Sequence, residues 1–126
     1  MAWSFLTAVK GARADAVTAQ IGIGAHLAIW TAAYALKLAE WTWTGNVFAP
    51  SGGANNIAML APATNPVTPG NPGVAAIGRV GNAAGTVFYI SDLTVGTSGT
   101  DIIISNTTIQ TNVPVSLNSF TLTEAP

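Results

Sequence analysis

The sequence has no cysteine and very little charge. Without cysteine, the chain can form neither a disulfide framework nor a thiolate metal site. Asp, Glu, Lys and Arg together make up 7% of the residues, whereas a soluble domain usually carries about 25%. With four Lys and Arg side chains and a formal net charge of -1, the chain offers no basic patch for a phosphate backbone. Nucleic acid is therefore not expected among its partners.

Apolar residues, in contrast, are abundant. They make up 49% of the 126 residues, and the mean hydropathy is +0.45. Disordered tracts lack the apolar content that a core requires, so the composition favours one folded domain. A free monomer with so few charges would tend to associate. We therefore expect much of the outer surface to be buried against other subunits, with a homo-oligomer as the natural state.

No targeting or membrane segment is predicted. Lys10, Arg13 and Asp15 interrupt what would be the apolar part of a signal peptide. The stretch from Ile21 to Leu36 is the most membrane-like, but its sixteen residues fall short of the roughly twenty that a span needs. We expect no membrane partner.

Helical periodicity is confined to residues 3 to 20. Apolar side chains recur there at steps of three and four, which places them on one face. They are Phe5, Leu6, Val9, Ala12, Ala16 and Val17. Ser4 is the predicted N-cap, and Gly22 and Gly24 are expected to end the helix.

Beyond residue 25 the apolar pattern changes to a period of two, which is typical of strands. Seven strands are predicted, at 26–31, 36–44, 57–61, 74–80, 86–95, 101–109 and 115–124. A hairpin is expected around Gly81 to Gly85. A bulge near Asn118-Ser119 would direct the apolar side chains on both sides of it, Val115, Leu117, Phe120 and Leu122, toward one core.

These elements predict a mainly β fold: an antiparallel β-sandwich, jelly-roll-like in kind, with one N-terminal α-helix. We divide the chain into an N-terminal helical arm at residues 1-24 and a β-sandwich domain at residues 25-126. Residues 62–73 contain four prolines and two glycines, and they predict a long, extended surface loop that acts as a contact or a flexible arm.

Candidate chemistry is sparse. His26 is the single histidine, so general-base catalysis would have to run through it. No Gly-x-Ser-x-Gly elbow is present to expose a serine, and we interpret His26 as a packed or rim residue. Asp92 and Asp101 flank a Gly-rich turn and are expected to cap it. The sequence therefore predicts no enzyme, and no catalytic, cofactor-binding or metal-binding residues.

The tryptophans allow two interpretations. Trp3, Trp30, Trp41 and Trp43 could stack on sugars in a carbohydrate-binding groove. Trp41 and Trp43 alternate onto one face of their strand, which suits either a binding platform or burial. Burial in the core or in a subunit interface is favoured, because aromatic side chains dominate interface energetics.

Three parts of the chain carry a resemblance to a known family. They are Gly11 to Ala16 (GARADA) with a following strand that ends Ile29-Trp30-Thr31; Val95 to Asp101 (VGTSGTD) with Asn106 to Ile109 (NTTI); and Val115 to Glu124 (VSLNSFTLTE). In these parts the chain resembles small virion proteins of tailed bacteriophages. The resemblance implies a capsid decoration protein or a small accessory structural protein without catalytic residues. The Pro-rich loop departs from the family pattern, so contacts that relatives make there do not transfer.

The expected function is that of a non-enzymatic virion protein, a capsid decoration or cement protein that assembles in the host cytoplasm and stabilises the assembled phage head. Its expected partners are the major capsid protein, other virion subunits and further copies of itself. A tail or fibre-base component, or a Trp-based carbohydrate-binding module, is the alternative. The predicted contact residues are Trp3, Phe5, Leu6, Val9, Trp41, Trp43, Pro66, Pro69 and Pro72.

Overall fold

The computed structural model describes residues 6–123, so the predicted N-cap Ser4 and the predicted contacts Trp3 and Phe5 lie outside the described residues. Within residues 6–123 the chain forms one α-helix, one 3₁₀ turn and nine strands. The helix α1 is Thr7–Ile21 and the 3₁₀ turn is Ala32–Tyr34; the strands are β1 (His26–Trp30), β2 (Lys37–Thr42), β3 (Asn56–Ala58), β4 (Gly73–Val74), β5 (Ile77–Gly81), β6 (Phe88–Gly96), β7 (Ile102–Ile104), β8 (Thr108–Ile109) and β9 (Leu117–Thr123).

Period-two alternation located the strands well. Each of the seven predicted segments contains a strand, and two of them contain two short strands in place of one long strand. Residues 73–81 divide into β4 and β5, and residues 102–109 divide into β7 and β8. The expected mainly β fold with one N-terminal helix is confirmed.

Seven strands form one curled, mixed sheet in the order β2-β1-β5-β6-β7-β9-β3, and β4 pairs with β8 in a separate ribbon. The curl brings the chain that follows β3 back to the edge strand β2. The amide of Ala63 donates to the carbonyl of Thr42 in β2 at 2.7 Å, and the amide of Leu60 donates to the carbonyl of Val47, in the segment after β2, at 2.7 Å. The jelly-roll-like sandwich stays a prediction.

The prediction of an entirely antiparallel arrangement is wrong at one pair, because β6 and β7 run parallel. The cause is a polar clamp across the connecting turn. The Oδ2 atom of Asp101 accepts hydrogen bonds from the amide and the hydroxyl of Thr94, and the Asp101 amide donates back to that hydroxyl at 2.9 Å. This clamp holds residue 101 beside residue 94, so Ile102 starts beside Val95 and continues in the same direction.

The predicted bulge in the last strand is confirmed. Ile104 pairs with Leu117 and Ile103 pairs with Ser119, which leaves Asn118 as the extra residue. Leu117 and Phe120 are both buried as a result. The Phe120 ring packs on Phe48, with ring centroids 4.9 Å apart.

The helix packs against the rest of the chain mainly through small residues. Its buried residues are Gly11, Ala14 and Ile21, whereas Val9 is 41% exposed. The small residues let the backbone approach the turn at residues 51–54. Asp15 fixes this contact, since its carboxylate accepts hydrogen bonds from the amide and the hydroxyl of Ser51 at 2.8 and 2.7 Å. Within the predicted apolar stripe, Val17 packs partly against the core, whereas Leu6, Val9, Ala12 and Ala16 are exposed. The predicted end of the helix is confirmed at its cap, Gly22.

The Pro-rich segment at residues 62–73 is a loop, as predicted, and it is attached to the sheet at several points. Asn65 makes two hydrogen bonds with the backbone of Leu117, at 2.8 and 2.9 Å. Val67 pairs with Val115, and the Asn71 amide donates to the carbonyl of Lys37 at 3.0 Å. These bonds anchor the loop on β2 and β9.

Among the helices in the described part of the chain, none is long and apolar enough to cross a membrane.

The helix contact gives a first prediction. Gly11→Ala removes the entropic cost of a helical glycine, which is about 1 kcal/mol. However, the new Cβ would lie 2.4 Å from the carbonyl oxygen of Ala54 and 2.8 Å from the hydroxyl of Ser51. We expect the overlap to dominate and to lower the free energy of unfolding by about 2 kcal/mol, measured by urea denaturation.

The matched control is Gly45→Ala, where the added Cβ meets no atom within 4 Å. Its urea midpoint should stay close to that of the wild type. An increase in stability on Gly11→Ala would contradict the close helix contact.

Candidate functional site

The outer face of the sheet carries a cleft that is built on small residues. Side chains alternate along β1, so Leu27 and Ile29 enter the core while His26, Ala28 and Trp30 share the opposite face. The cleft has a volume of about 220 Å³. Its lining residues come from β1, β2, β5, β6 and the adjoining turns, and are His26, Ala28, Trp30, Lys37, Glu40, Arg79, Gly81, Asn82, Gly85 and Phe88.

Strand register explains why these residues meet. Ala28 lies opposite Glu40 on one side and opposite Arg79 on the other. His26 lies opposite Gly81 on β5 in the same way. Ala28 and Gly81 project little or nothing from the sheet, so the larger side chains around them enclose an open floor.

One wall of the cleft is an ionic cluster around Glu40. Its Oε1 atom lies 3.1 Å from Nδ1 of His26, and its Oε2 atom lies 3.4 Å from Nζ of Lys37. All three side chains are partly exposed, so these pairs contribute little to stability. These contacts hold the carboxylate of Glu40 in place, because each of its two oxygens already has a partner.

The other wall is Arg79 within a group of aromatic rings. Its guanidinium carbon lies 3.6 Å from the ring centroid of Phe88, 4.2 Å from that of Tyr34 and 4.6 Å from that of Trp30. Cations are attracted to the negative face of such rings. No hydrogen bond or ion pair joins Arg79 to another residue of the described range, and its Nε atom is buried without an acceptor.

Glycine at position 81 is necessary for this arrangement. A Cβ there would lie 2.9 Å from Cδ1 of Phe88 and 2.8 Å from the carbonyl oxygen of Val87. The Phe88 ring therefore occupies the space above β5 that any other residue would fill. In this position the Phe88 ring contacts the guanidinium of Arg79.

Tyr34 is positioned by an unusual stretch of backbone. Ala33 and Tyr34 have φ values of 58° and 56°, in a left-handed region that residues with a Cβ rarely adopt. The Tyr34 hydroxyl accepts a hydrogen bond from the amide of Asp92 at 2.7 Å and donates to its carboxylate at 2.9 Å. Asp92 itself has a φ of 59° and lies in an irregular part of β6. Strained backbone of this kind clusters at functional sites.

The predicted hairpin around Gly81 to Gly85 is confirmed and forms the rim of the cleft. Asn82 fixes its shape. The side-chain oxygen of Asn82 accepts hydrogen bonds from the amides of Thr86 and Val87 at 2.9 and 3.2 Å, and its nitrogen donates to the Thr86 hydroxyl at 3.0 Å.

The cleft contains three of the chain's nine charged side chains. Two cationic side chains, Lys37 and Arg79, line the cleft with one carboxylate, Glu40. With His26 counted as neutral, the lining side chains carry a formal net charge of +1. The described lining residues contain no hydroxyl or thiol. The groups present can hold an anion, donate hydrogen bonds and stack on a planar group.

The predicted contact residues lie in different environments. Trp41 and Trp43 are 0% and 3% exposed within the core, and the Trp43 indole donates to the carbonyl of Leu60 at 2.8 Å. A sugar-binding groove or a partner contact formed by these two indoles is therefore wrong, because the chain's own residues cover them. Pro69 is also buried, so it is not available as a surface contact.

The remaining predicted contacts in the described range are on the surface. Leu6 is 77% exposed and Val9 is 41% exposed. Pro66 and Pro72 are exposed in the Pro-rich loop. Their contact with a partner stays a prediction.

The predictions for the polar residues had mixed outcomes. His26 lines the cleft at 23% exposure, which agrees with its interpretation as a packed or rim residue. Asp101 spans its turn through Thr94 as predicted. Asp92 does not cap that turn, because it binds Tyr34.

Arg79, Lys37, Tyr34 and Phe88 were missed as site residues. Arg79 had a usable signal, since it is a lone charge in the middle of an apolar strand and alternates with Gly81. The other three become neighbours of Arg79 only through strand register and the left-handed backbone at Tyr34, which periodicity does not reveal.

Among residues 6–123, no group of three or more His, Asp or Glu side chains is placed to hold a metal ion. Comparison of the chain with protein-family models, with curated proteins and with solved structures gives no match.

The hydroxyl of Tyr34 gives a second prediction. Tyr34→Phe keeps the ring beside Arg79 but removes both hydrogen bonds to Asp92. We expect the free energy of unfolding to fall by about 1 kcal/mol. We also expect amide hydrogen exchange at Asp92 to accelerate by about tenfold, because its acceptor is lost. NMR-detected exchange measures this.

The matched control is Tyr89→Phe, which also removes a tyrosine hydroxyl. Tyr89 is 38% exposed and lies on β6, the strand that contains Asp92. Exchange at Asp92 should not change in that variant. Equal exchange at Asp92 in the wild type and in Tyr34→Phe would refute the proposed role of the hydroxyl.

Proposed function

We propose that this chain is a non-enzymatic structural protein of a tailed-bacteriophage virion, which decorates the assembled head and stabilises it. Its partners would be the major capsid protein, other virion subunits and further copies of itself. The observation that supports this best is the large amount of apolar surface on a molecule with few charges.

Within residues 6–123, ten large apolar side chains are between 38% and 77% exposed. They are Leu6, Val9, Ile23, Leu36, Leu60, Val74, Val87, Phe88, Tyr89 and Val113. Single exposed apolar residues are ordinary. Here, however, the chain has only nine Asp, Glu, Lys and Arg residues in total, and part of these lies in the cleft. Surface of this kind supports association with other subunits.

The exposed face of α1 is the best-defined docking surface. Val9 lies in the first turn of the helix and Leu6 is the N-cap residue just before it, so both exposed side chains lie at the same end of α1. The opposite face, with Gly11 and Ala14, is already packed against the chain itself. The outer face is therefore open to another subunit.

The proposed mechanism is additive. Each copy makes modest apolar contacts, and the symmetry of the shell repeats them. A protein that binds only the assembled lattice stabilises it by mass action. Attachment to the tail or the fibre base would use the same surface, and electron microscopy of particles that carry the labelled chain would distinguish these locations.

The docking surface gives a third prediction. The double variant Leu6→Ser and Val9→Ser should fold normally, because both side chains are exposed. It should bind particles that lack the chain at least about tenfold more weakly, since each buried apolar side chain contributes about 1–2 kcal/mol. Co-sedimentation with purified particles, quantified against the shell subunit, measures this.

The matched control is the double variant Val74→Ser and Val113→Ser, which changes two equally exposed apolar residues on other elements. It should retain most of the binding. Equal binding by both double variants would exclude α1 as the docking face, and failure of the unmodified chain to co-sediment would overturn the proposed function.

Self-association is a separate, fourth prediction. With so little charge to keep copies apart, the purified chain should sediment as an oligomer at concentrations of about 0.1 mM. Sedimentation velocity at several concentrations tests this. A chain that stays monomeric at about 1 mM would contradict the predicted homo-oligomer.

A further inference from the structure

Arg79 is held firmly and yet lacks an acceptor. A guanidinium carries five N–H donors in a rigid fork, and an arginine that is mostly buried is normally paired with an anion. In this protein three aromatic rings surround the guanidinium. Among the residues that the structure describes, however, no oxygen accepts a hydrogen bond from it.

The aromatic contacts enclose part of the guanidinium of Arg79. The nearest ring is that of Phe88, whose centroid lies 3.6 Å from the guanidinium carbon. Of its nitrogen atoms, only Nε is buried without a partner. The Nε atom is enclosed, whereas Arg79 as a whole lines the cleft. The terminal Nη groups are therefore the donors that a ligand in the cleft can reach.

The nearest carboxylate of the cleft does not neutralise Arg79. Glu40 is two strands away in register, with Ala28 between them, and strands lie about 4.8 Å apart. The two oxygens of Glu40 are also held by His26 and Lys37. The positive charge of Arg79 is therefore left for another group.

The form of the cleft selects among anions. A carboxylate is planar, carries one charge and matches a single guanidinium fork. A phosphate dianion would need further cations, and Glu40 would oppose its second charge. The small floor of Ala28 and Gly81 leaves room beside the Phe88 ring for the carbon chain that carries a carboxylate.

We propose that this cleft binds a carboxylate group, which Arg79 recognises through its Nη donors. The group is either the acidic side chain of a partner protein or a small free carboxylate, since both present the same chemistry. This inference concerns the isolated chain and does not depend on the proposed role in a virion.

The test is an NMR titration of the full-length, ¹⁵N-labelled chain with sodium propionate, with sodium chloride at equal ionic strength as reference. The backbone amides of Gly81 and Asn82, beside the cleft, report binding. We expect a saturable shift with a Kd of about 1–10 mM, as suits one ion pair in a partly exposed cleft. Chloride should give no such shift.

Two variants locate the binding. Arg79→Lys keeps the charge but loses the fork, and it should weaken binding by about tenfold or more. Arg79→Gln should abolish it. The matched control Lys10→Gln removes one positive charge from the helix and should bind propionate as the wild type does. The amide spectrum of each variant confirms that it is folded.

A capped Gly-Glu-Gly peptide distinguishes the two sources. Tighter binding of the peptide than of propionate supports the acidic side chain of a partner protein, and equal binding supports a free carboxylate. The proposal is overturned if propionate and chloride give the same shifts, or if Arg79→Lys binds propionate as tightly as the wild type. Neither result affects the particle-binding assay.

Discussion

Strand β5 lies inside the seven-stranded sheet, and at two positions it has no side chain. Gly78 faces the core, where a Cβ would lie 2.4 Å from Cδ1 of Ile102. Gly81 faces outward, where a Cβ would lie 2.9 Å from Cδ1 of Phe88. The core side of the sheet thus depends on Ile102 filling one gap, and the cleft depends on Phe88 filling the other. Since Val80 is fully buried between them, the strand has no freedom to slip by one residue.

Small residues also limited which structural features could be predicted from the sequence. Period-two alternation located the seven strand-bearing segments, although it did not predict that two of them divide into two strands. It also predicted the bulge at Asn118, because strands are specified by which side chains must be buried. The helix face that packs on the chain was not predicted, for the same reason. A pattern weighted by large apolar side chains favours Val9, whereas the actual contact at Gly11 is made by the backbone and depends on a missing side chain.

The parallel pair and the cleft have a different origin. The direction of β7 follows from the bonds between Asp101 and Thr94 across a turn, and several turn geometries are compatible with the same residues. The cleft follows from the register of three strands, which brings Glu40 and Arg79 to either side of Ala28. Register is a tertiary property, so the sequence could indicate that Arg79 is a lone charge in a strand but could not indicate its neighbours.

The exposed apolar surface and the arginine of the cleft have complementary physical consequences. Apolar contact is roughly proportional to the area removed from water and has no preferred direction, so an apolar surface supplies affinity without fixing orientation. A guanidinium held by three rings has a fixed direction, and its hydrogen bonds are lost when an acceptor is displaced by an ångström. The exposed apolar residues would therefore supply affinity for a partner protein. A partner carboxylate bound by Arg79 would fix the orientation of that partner, because electrostatic complementarity contributes more to specificity than to affinity.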